Sequence, residues 1–488
     1  MRKMRFAGGV TLLTVTMIGC STATTSLASD RLVPSEPTLI EYADPSRLPG
    51  LNTATITQGD FGERNVHASY PVLADAPALT GKLRSVLTGR LDRFTAATSA
   101  AVPGTRPEFN ADWRIAAVSD EIVGVRLGIG EYTRPGWRES RTTVWYDRVD
   151  GRALDSTGLL TGGSALTELA GLVRAELARR GPGVDAGAVK ADERLFDSIA
   201  FNRHGELVVE FDDYQVAAGS LGRVAVAVPA GRSEGLLSPS GLRARRAAVR
   251  AGQGPVAAPT SEAIKAAAVD RPAARSSRAG TVDCATAKCV ALTFDDGPGE
   301  GTAELLDVLA SHGARATFFV TGSNAVARPD LLRRMSAEGH LVANHTWSHR
   351  DLTSLPAGLA AYQLSRAQEA VGHATGQDPA LVRAPYGRVD ERVVRAAREQ
   401  GLAVVGWDVD AGDARGRDPE AVARRVAERV RPGSIVLMHD LDASSAGAAE
   451  AVLRRLAAAG HTFVTVPELF GAAGMRAGEV YASGPSRS

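Results

Sequence analysis

The feature that most constrains the fold is a regular alternation of short apolar runs and amphipathic segments after Cys289. This alternation predicts strand–helix units, and strands that are connected through helices pair in parallel. About seven units in roughly 190 residues favour a closed or nearly closed barrel over an open nucleotide-binding sheet, and no glycine-rich phosphate loop follows the first strand. The sequence therefore predicts an α/β fold whose main unit is a distorted (β/α) barrel. Its strands are predicted at 290–294, 316–320, 340–343, 380–383, 402–407, 434–438 and 461–464.

A smaller α+β domain is predicted before the barrel, at residues 51–231. Residues 115–129 are rich in Val, Ile and Leu and predict strand, whereas leucines at helical spacing in residues 164–180 predict a helix. In residues 232–283, Ala, Gly, Pro, Ser and Arg replace the apolar periodicity, which predicts a flexible linker. Its arginines are interpreted as a solvated charge run, with contact to an anionic cell wall as the alternative. These arginines are Arg243, Arg245, Arg246 and Arg250.

The N-terminus has the layout of a secretory signal peptide. Three positive charges among the first five residues precede an apolar stretch, residues 6–18, that is too short to span a bilayer. The stretch ends at Gly19-Cys20, which resembles the lipobox of bacterial lipoproteins, although Met17 stands where that motif usually has Leu. We therefore predict an exported chain that is attached to the cell membrane through a lipidated Cys20. A secreted protein that loses Cys20 with its signal peptide is the alternative.

The use of cysteine fits export. Cys284 and Cys289 are close enough in sequence to form a small disulfide loop in an oxidising compartment, a loop worth only ~2 kcal/mol. Lipidation of Cys20 accounts for the third cysteine of the chain. The predicted division is 1–19 signal peptide, 20–50 tether, 51–231 α+β accessory domain, 232–283 flexible linker, 284–472 barrel and 473–488 flexible tail.

Composition excludes several classes of protein. Hydrophobic residues make up 44% and charged residues 23% of the 488-residue chain, which excludes a wholly disordered, collagen-like or multi-span membrane protein. The chain contains 56 Lys and Arg residues and 55 Asp and Glu residues. The chain as a whole therefore lacks the excess of positive charge that is typical of nucleic-acid binding, and we predict no nucleic-acid partner. The oligomeric state is left open.

Polar clusters follow five of the barrel segments, at the strand ends where parallel α/β folds place their active sites. The clusters are 293–298 (Thr-Phe-Asp-Asp-Gly-Pro), 344–349 (Asn-His-Thr-Trp-Ser-His), 383–387 (Arg-Ala-Pro-Tyr-Gly), 407–413 (Trp-Asp-Val-Asp-Ala-Gly-Asp) and 435–440 (Ile-Val-Leu-Met-His-Asp). Each has an ordinary structural interpretation when taken alone. Adjacent carboxylates before Gly-Pro can be a turn, and a histidine that ends an apolar strand is commonly a core residue. A His-x3-His pair can chelate a metal from one face of a helical turn, but such pairs also occur on surfaces by chance.

Together and in this order, the clusters resemble the five motifs of the polysaccharide deacetylases of carbohydrate esterase family four, over about residues 289–469. The resemblance implies a divalent metal ion held by Asp296, His345 and His349, with positions left open for water and substrate. Zinc is expected, and Co²⁺ or Fe²⁺ are alternatives because two imidazoles and one carboxylate also suit those ions. All three implied ligands belong to the barrel.

The resemblance also implies which groups transfer protons. Asp295 is expected to act as the general base, and Arg383 is expected to orient Asp295 and keep it ionised. His439 is expected to protonate the leaving amine, with Asp410 as the carboxylate that positions it.

Other implied residues bind the substrate. Tyr386 is expected to stabilise the oxyanion through its backbone N–H, and Leu437 is expected to line an apolar pocket for the acetyl methyl group. One departure concerns the groove: Ala414 stands where the fourth motif of the family usually has Trp, so an aromatic wall is missing. Trp407 or Trp347 is a candidate replacement, and a place in the hydrophobic core is the alternative for each. We expect Trp407 to contact the substrate.

The accessory domain carries a second resemblance. Residues 211–217 and the strand at 224–228 resemble the closing stretch of a domain of unknown function that occurs in a lysozyme-sensing anti-sigma factor and upstream of some peptidoglycan deacetylases. Residues 67–71 look like its opening strand. The resemblance implies a wall-associated role and leaves the ligand of this domain open.

Three functions are compatible with these patterns. The leading hypothesis is a metal-dependent hydrolase that removes N-acetyl groups from amino sugars of a cell-wall glycan, with peptidoglycan as the expected substrate. The second is an O-acetyl esterase on xylan or another acetylated polysaccharide. The third is a non-catalytic wall-binding or lysozyme-sensing lipoprotein. The presence of a full set of metal ligands together with Asp295 and His439 argues against the third.

Overall fold

The computed structural model describes residues 37–58, 63–99, 106–133, 136–180, 183–251, 282–413, 418–471 and 474–485. The predicted signal peptide, Cys20, much of the predicted linker and Ala414 lie outside these described residues. Within the described ranges, no helix has both the length and the apolar character needed to cross a membrane.

The described residues of the accessory region form nine strands in two sheets. The strands are β1 (Leu51–Gln58), β2 (Asn65–Leu73), β3 (Glu108–Val118), β4 (Ile122–Thr133), β5 (Gly136–Asp147), β6 (Arg152–Asp155), β7 (Ile199–Phe201), β8 (Leu207–Phe211) and β9 (Val224–Val228). The first six form one sheet in chain order, and the last three form a second, antiparallel sheet. Helices lie at Pro77–Ala97, Gly163–Leu177, Ala230–Ser233 and Pro239–Ala251.

One helix covers one face of the six-stranded sheet. Helix Pro77–Ala97 begins with a proline in its first turn. Backbone N–H groups of the first turn have no acceptor within the helix, so the absence of an N–H in proline costs no helical hydrogen bond. It places four leucines at intervals of four residues on one face, and all four are buried in the core of the sheet. These leucines are Leu79, Leu83, Leu87 and Leu91.

Strand β2 alternates between an apolar and a polar face. Val66, Ala68 and Tyr70 join the core beneath helix Pro77–Ala97. The intervening residues point to the opposite face of the sheet, because successive side chains of a strand alternate. They are Asn65, His67 and Ser69, and all three are nevertheless buried. A second layer therefore covers the polar face.

That second layer is the barrel. The polar face of the accessory sheet forms hydrogen bonds and an ion pair with two barrel segments, residues 298 and 347–351. The contacts are Thr53 Oγ1 to Pro298 O (3.2 Å), Asn110 Nδ2 to Ser348 O (2.5 Å), Trp347 Nε1 to Asp112 Oδ2 (3.0 Å), Asp351 N to Glu108 Oε1 (3.1 Å) and Arg350 Nη1 to Glu139 Oε1 (2.6 Å). We call this set of contacts the polar interface.

The barrel is a curled parallel sheet that confirms the predicted fold class. Its strands are β10 (Cys289–Asp295), β11 (Thr317–Val320), β12 (Leu341–Asn344), β13 (Leu381–Val382), β14 (Ala403–Val405), β15 (Val409–Asp410), β16 (Ile435–His439), β17 (Thr462–Phe463) and β18 (Val480–Tyr481). Their order is β15-β16-β10-β11-β12-β13-β14-β18, with β17 beside β10. Among the described strands, β15 and β18 remain the open edges of the barrel.

Burial on both faces explains the continuous apolar strands. Every residue of β10 is buried, as is typical of a parallel strand covered by helices on one side and by the barrel interior on the other. Cys289, at its start, is bonded to Cys284. The helices of the barrel lie at Thr302–Ser311, Gly322–Ala327, Pro329–Ala337, Ala357–Thr375, Glu391–Glu399, Pro419–Ala427, Ser444–Ala458 and Val466–Phe470.

Three predicted boundaries are wrong. The predicted tether, 20–50, includes Ile40, which is buried in the accessory core. The first 20 residues of the predicted linker, 232–283, include helix Pro239–Ala251, whose small alanines pack on the same core. Because alanine contributes little to an apolar periodicity, this helix escaped detection. The predicted flexible tail, 473–488, contains β18, which pairs with β14.

Arginines of the predicted solvated charge run form ion pairs with the accessory domain. Arg243 lies on helix Pro239–Ala251 and pairs with the buried Asp147, with its Nε 3.1 Å from Asp147 Oδ2. Arg246 reaches Glu121 at 3.1 Å. The arginines therefore fasten the helix to the accessory domain, and the interpretation as a solvated run is wrong for Arg243.

The polar interface should make the stability of the protein depend on pH. Burial, followed by the charge of Asp351, raises the pKa of Glu108 to about 8. Unfolding returns this carboxyl to an ordinary pKa, so the folded state binds the extra proton between about pH 4.5 and pH 8. The stability contributed by protonated Glu108 is complete below this window and is lost as the pH rises through it.

We expect Glu108→Gln to remove this loss of folding stability with rising pH. The variant should gain roughly 1–4 kcal/mol relative to the wild-type chain as the pH rises from 5 to 8, measured as the free energy of unfolding at each pH. Glu139→Gln is the matched control, because burial raises the pKa of Glu139 but Arg350 overcomes this and lowers it. That variant should lose stability at neutral pH. Parallel pH curves for Glu108→Gln and the wild-type chain would contradict the prediction.

Candidate active site

The predicted functional residues gather at the carboxyl ends of the barrel strands. Asp295 is the last residue of β10 and His439 is the last residue of β16, and these two strands are paired with Asp295 opposite His439. His345 follows β12 directly, and Arg383 follows β13. Because the strands are parallel, these ends share one rim of the sheet.

One carboxylate lies at metal-ligand separation from each of two histidines. Asp296 Oδ1 lies 3.2 Å from His349 Nε2 and 3.5 Å from His345 Nε2. Ligand atoms placed tetrahedrally at ~2.1 Å from a zinc ion lie about 3.4 Å from one another. All three side chains are buried, and nitrogen and carboxylate oxygen are donors that zinc, cobalt and iron accept. These residues therefore fit a divalent metal ion.

A second hydrogen bond fixes the orientation of His345. Its Nδ1 lies 2.8 Å from the carbonyl oxygen of Arg383, and a carbonyl oxygen can only accept. Nδ1 therefore carries the proton and Nε2 is directed to Asp296. Such an outer hydrogen bond is the usual support of a metal-binding imidazole.

Asp295 is held by an arginine in a fully buried network. Arg383 Nη1 donates to Asp295 Oδ1 at 2.7 Å and to Thr293 Oγ1 at 2.7 Å. The other Asp295 oxygen, Oδ2, lies 3.7 Å from His345 Nε2. Arg383 is itself fixed by the carbonyl oxygen of Gly406 at 2.9 Å. The base candidate therefore keeps one oxygen on the arginine and directs the other toward the metal-binding residues.

The two adjacent aspartates differ in acidity. Burial raises the pKa of Asp295 above its ordinary value, and Arg383, His345 and His439 offset only part of this rise. Burial also acts on Asp296, but His349 and His345 lower the pKa of Asp296 well below its ordinary range. Arg383 contacts Asp295 and lowers its pKa without cancelling the effect of burial, so the two carboxyl groups are suited to different tasks.

His439 is paired with a carboxylate other than the expected one. Its Nδ1 lies 2.9 Å from Asp413 Oδ1, and its backbone N–H donates to Asp413 Oδ2 at 2.8 Å. Asp410, the predicted partner, instead accepts a hydrogen bond from the N–H of Gly412 at 2.7 Å. The chain turns between the two aspartates, so the second one reaches the end of β16.

Comparison with known proteins identifies relatives of the barrel. A family described as polysaccharide deacetylase matches residues 283–405. The peptidoglycan-N-acetylglucosamine deacetylase of Bacillus cereus is 36% identical over 186 residues, which cover 37% of this chain and 68% of that protein. This chain belongs to the polysaccharide deacetylase family.

Two longer relatives match in part. The peptidoglycan-N-acetylglucosamine deacetylase of Listeria monocytogenes is 40% identical over 187 residues, or 38% of this chain and 40% of that protein. The peptidoglycan-N-acetylmuramic acid deacetylase of Bacillus subtilis is 34% identical over 260 residues, or 53% of this chain and 52% of that protein. The matches thus span about half or less of the length of these two relatives.

The polysaccharide deacetylase barrel encloses a small pocket beside the metal-binding residues. Its lining is Asp295, His345, His349, Ala384, Tyr386, Gly387, Trp407, Leu437 and His439. Leu437 and Trp407 thus line the same pocket as Asp295 and His439. Trp347 does not: it packs in the core between barrel strands and helices. Ala414, on which the expected groove shape depended, lies outside the described residues.

Unusual backbone conformations concentrate at this site of the polysaccharide deacetylase barrel. Five non-glycine residues in the described ranges have a positive φ, and four of them are Asp296, Thr346, His349 and Tyr386. Segment 345–349 is a tight turn in which Thr346 Oγ1 accepts the N–H of His349, and it differs from the helical turn that a His-x3-His spacing allows. Such conformations persist where the surrounding structure enforces them, as functional sites commonly do.

One residue of the site was not predicted. His67, on β2 of the accessory sheet, lies with its Nδ1 4.0 Å from Asp296 Oδ1, and its ring stacks on that of His349 at 4.3 Å. The ligating atoms of His67, Asp296 and His349 all lie within 4.8 Å of one another. The only sequence signal was a histidine at a polar position of an alternating strand, more than 200 residues before the barrel motifs.

Proposed function

We propose that this protein removes N-acetyl groups from amino sugars of a cell-wall glycan, that the glycan is peptidoglycan, and that the reaction depends on a divalent metal ion. The observation that carries the proposal is a pocket lined by Asp295, His345, His349 and His439. Behind this lining, Asp296 lies beside both His345 and His349, Arg383 pairs with Asp295, and Asp413 pairs with His439. The names of the relatives from Listeria, Bacillus cereus and Bacillus subtilis support peptidoglycan as the substrate.

The proposed cofactor follows from the donor set. Asp296, His345 and His349 would hold the ion, and zinc is proposed because two imidazoles and one carboxylate with open positions are typical of catalytic zinc sites. When bound, such an ion supplies Lewis-acid polarisation of the acetyl carbonyl and a more acidic water. Co²⁺ and Fe²⁺ suit the same donors.

The protein's own residues move the protons. Asp295 accepts a proton from the water that attacks the acetyl carbon, and its raised pKa brings its basicity closer to the operating pH. Arg383 holds one oxygen of Asp295, so that the other is free to take the proton. His439 then donates a proton to the amide nitrogen as the C–N bond breaks, giving acetate and a free amine. Asp413 holds His439 by its Nδ1, which leaves Nε2 to face the substrate.

Two further groups position the acetyl group. The backbone N–H of Tyr386 would donate to the developing oxyanion, as the family resemblance implies. Leu437 and Trp407 line the same pocket and would contact the acetyl methyl and the sugar. The small size of this pocket favours acetyl over larger acyl groups.

We extend the proposal to location and partners. The N-terminal pattern supports an exported lipoprotein that is anchored in the cell membrane through Cys20 and faces the wall. A wall glycan is then the partner within reach.

The substrate is tested by mass spectrometry of muropeptides. Peptidoglycan fragments incubated with the protein should lose acetyl groups from amino sugars, and Asp295→Asn should leave them unchanged. Acetate release from acetylated xylan but not from peptidoglycan would favour the esterase alternative. Tight metal binding without acetate release from either polymer would favour the non-catalytic alternative.

The corrected partner of His439 gives a further prediction. Asp413→Asn should lower kcat by roughly 10²-fold or more, because the amide no longer stabilises the protonated imidazole and can select the wrong tautomer. Asp410→Asn is the matched control and should retain most of the activity. Initial rates of acetate release, measured with metal-saturated protein, compare the two. An equal loss in both variants would contradict the assignment of Asp413.

A further inference from the structure

The histidine from the accessory sheet is placed as a metal ligand would be. His67 is 1% exposed, although it belongs to the polar face of β2. Its ring is stacked on the ring of His349, with an angle of 23° between the two ring planes. Its Nδ1 lies 4.0 Å from Asp296 Oδ1. The candidate ligand atoms of His67, Asp296 and His349 all lie within 4.8 Å of one another. A divalent cation at this point would be shared by all three side chains.

The surrounding contacts hold His67 in this position. Thr53 on the neighbouring strand β1 donates to Pro298 O, two residues beyond Asp296. Asn110 on the other neighbouring strand, β3, donates to Ser348 O, next to His349. The accessory sheet is thus fastened to both metal-binding segments, one on each side of β2. The polar interface, through contacts of both strands that flank β2, therefore fixes the position of His67.

We propose that His67 is an additional protein ligand of the divalent metal ion, contributed by the accessory domain. Protein ligands that fill the coordination sphere are typical of closed, structural sites, whereas catalytic sites keep a position open. The docked form is therefore a resting state that retains the ion and excludes the glycan. Undocking of the accessory sheet withdraws His67 and opens the position that substrate needs. The inference that undocking admits substrate rests on the proposed function, whereas the inference that His67 binds the metal ion does not.

The space at the site agrees with a resting state. The pocket beside the ligands has room for about one water molecule in the docked form. An amino sugar of a glycan strand is many times larger. The residues that line this pocket all belong to the barrel, and the accessory sheet lies against the neighbouring segments 296–298 and 348–351. In the proposed resting state the accessory domain therefore acts through His67, at the ion itself.

The proposed binding of the metal ion by His67 is tested by counting the imidazole groups that are bound to zinc. X-ray absorption of the zinc-loaded full chain should give one imidazole fewer in His67→Ala than in the wild-type protein. The affinity for Zn²⁺, measured by competition with a chromophoric chelator, should fall about tenfold or more, since even outer-sphere partners of a metal site are worth that much. His204→Ala, at an exposed histidine of the same domain, is the matched control and should change neither quantity. An unchanged imidazole count and affinity in His67→Ala would overturn the proposal.

A second variant separates ligation from folding. His67→Gln keeps a polar side chain of similar size in the polar interface, so a fold comparable to the wild-type chain by circular dichroism is expected. It should still lose one imidazole from the count. Turnover of a short soluble chitooligosaccharide should rise in both His67 variants if the docked form excludes substrate. If no variant turns over substrate but the imidazole count still falls, the proposed function fails while the ligation stands.

Discussion

Replacing Asp295 with Asn should lower kcat by roughly 10²–10⁴-fold while the protein keeps its metal ion, because the change removes the proton acceptor and leaves the ligands in place. An amide oxygen can still accept the hydrogen bond of Arg383, whose Nη1 lies 2.7 Å from Asp295 Oδ1, so the buried network should survive. Acetate release and the metal-to-protein ratio, measured on the same preparation, test both halves of this expectation.

The neighbouring aspartate provides the comparison. Asp296→Asn removes the negative charge on which His345 and His349 converge, so its metal content should fall together with its activity. A chain with Asp295→Asn that turns over like the wild-type protein would mean that another group accepts the proton. Loss of the ion from Asp295→Asn would mean that this carboxylate is itself a ligand.

Removing one histidine of the metal-binding set should have the second large effect. In His349→Ala we expect the metal-to-protein ratio after dialysis to fall from about one to near zero, because loss of a ligand breaks the chelate and leaves Asp296 without its nearest nitrogen. His345→Ala should behave in the same way. Elemental analysis by mass spectrometry gives the ratio directly.

His373→Ala is the matched control for this loss. His373 lies exposed on helix Ala357–Thr375, away from the strand ends, and its removal should leave one ion per chain. Unchanged metal content in both His345→Ala and His349→Ala would show that these residues do not hold the ion.

The barrel strands could be predicted from the sequence because burial on both faces leaves a strong pattern. All seven predicted strands overlap observed ones; the apolar run 290–294, for example, lies within β10. The strands that the pattern missed are short edge strands. Strand β15 contains two residues, Val409 and Asp410, and β18 contains Val480 and Tyr481. Two residues are too few to express a periodicity, and the equally short β13 and β17 were predicted only as parts of the longer segments 380–383 and 461–464.

The site was predicted less completely, because loops bring together residues that no spacing rule connects. Asp410 and Asp413 are equivalent in a linear motif, and only the turn between them decides which one reaches His439. His67 lies in a different domain from every other site residue. Its role depends on how two domains dock, and the alternation of β2 predicts only that His67 faces away from the accessory core.

The polar interface also bears on how this architecture can be recombined. Two regions that meet through hydrogen bonds and ion pairs, such as Arg350 with Glu139, expose groups that water solvates readily when they part. Apolar packing between the regions includes Ala327 of the barrel against the accessory core and Trp137 of the accessory sheet against a barrel cluster. The two main hydrophobic clusters of the barrel contain barrel residues only, so parting the two regions leaves these clusters in place.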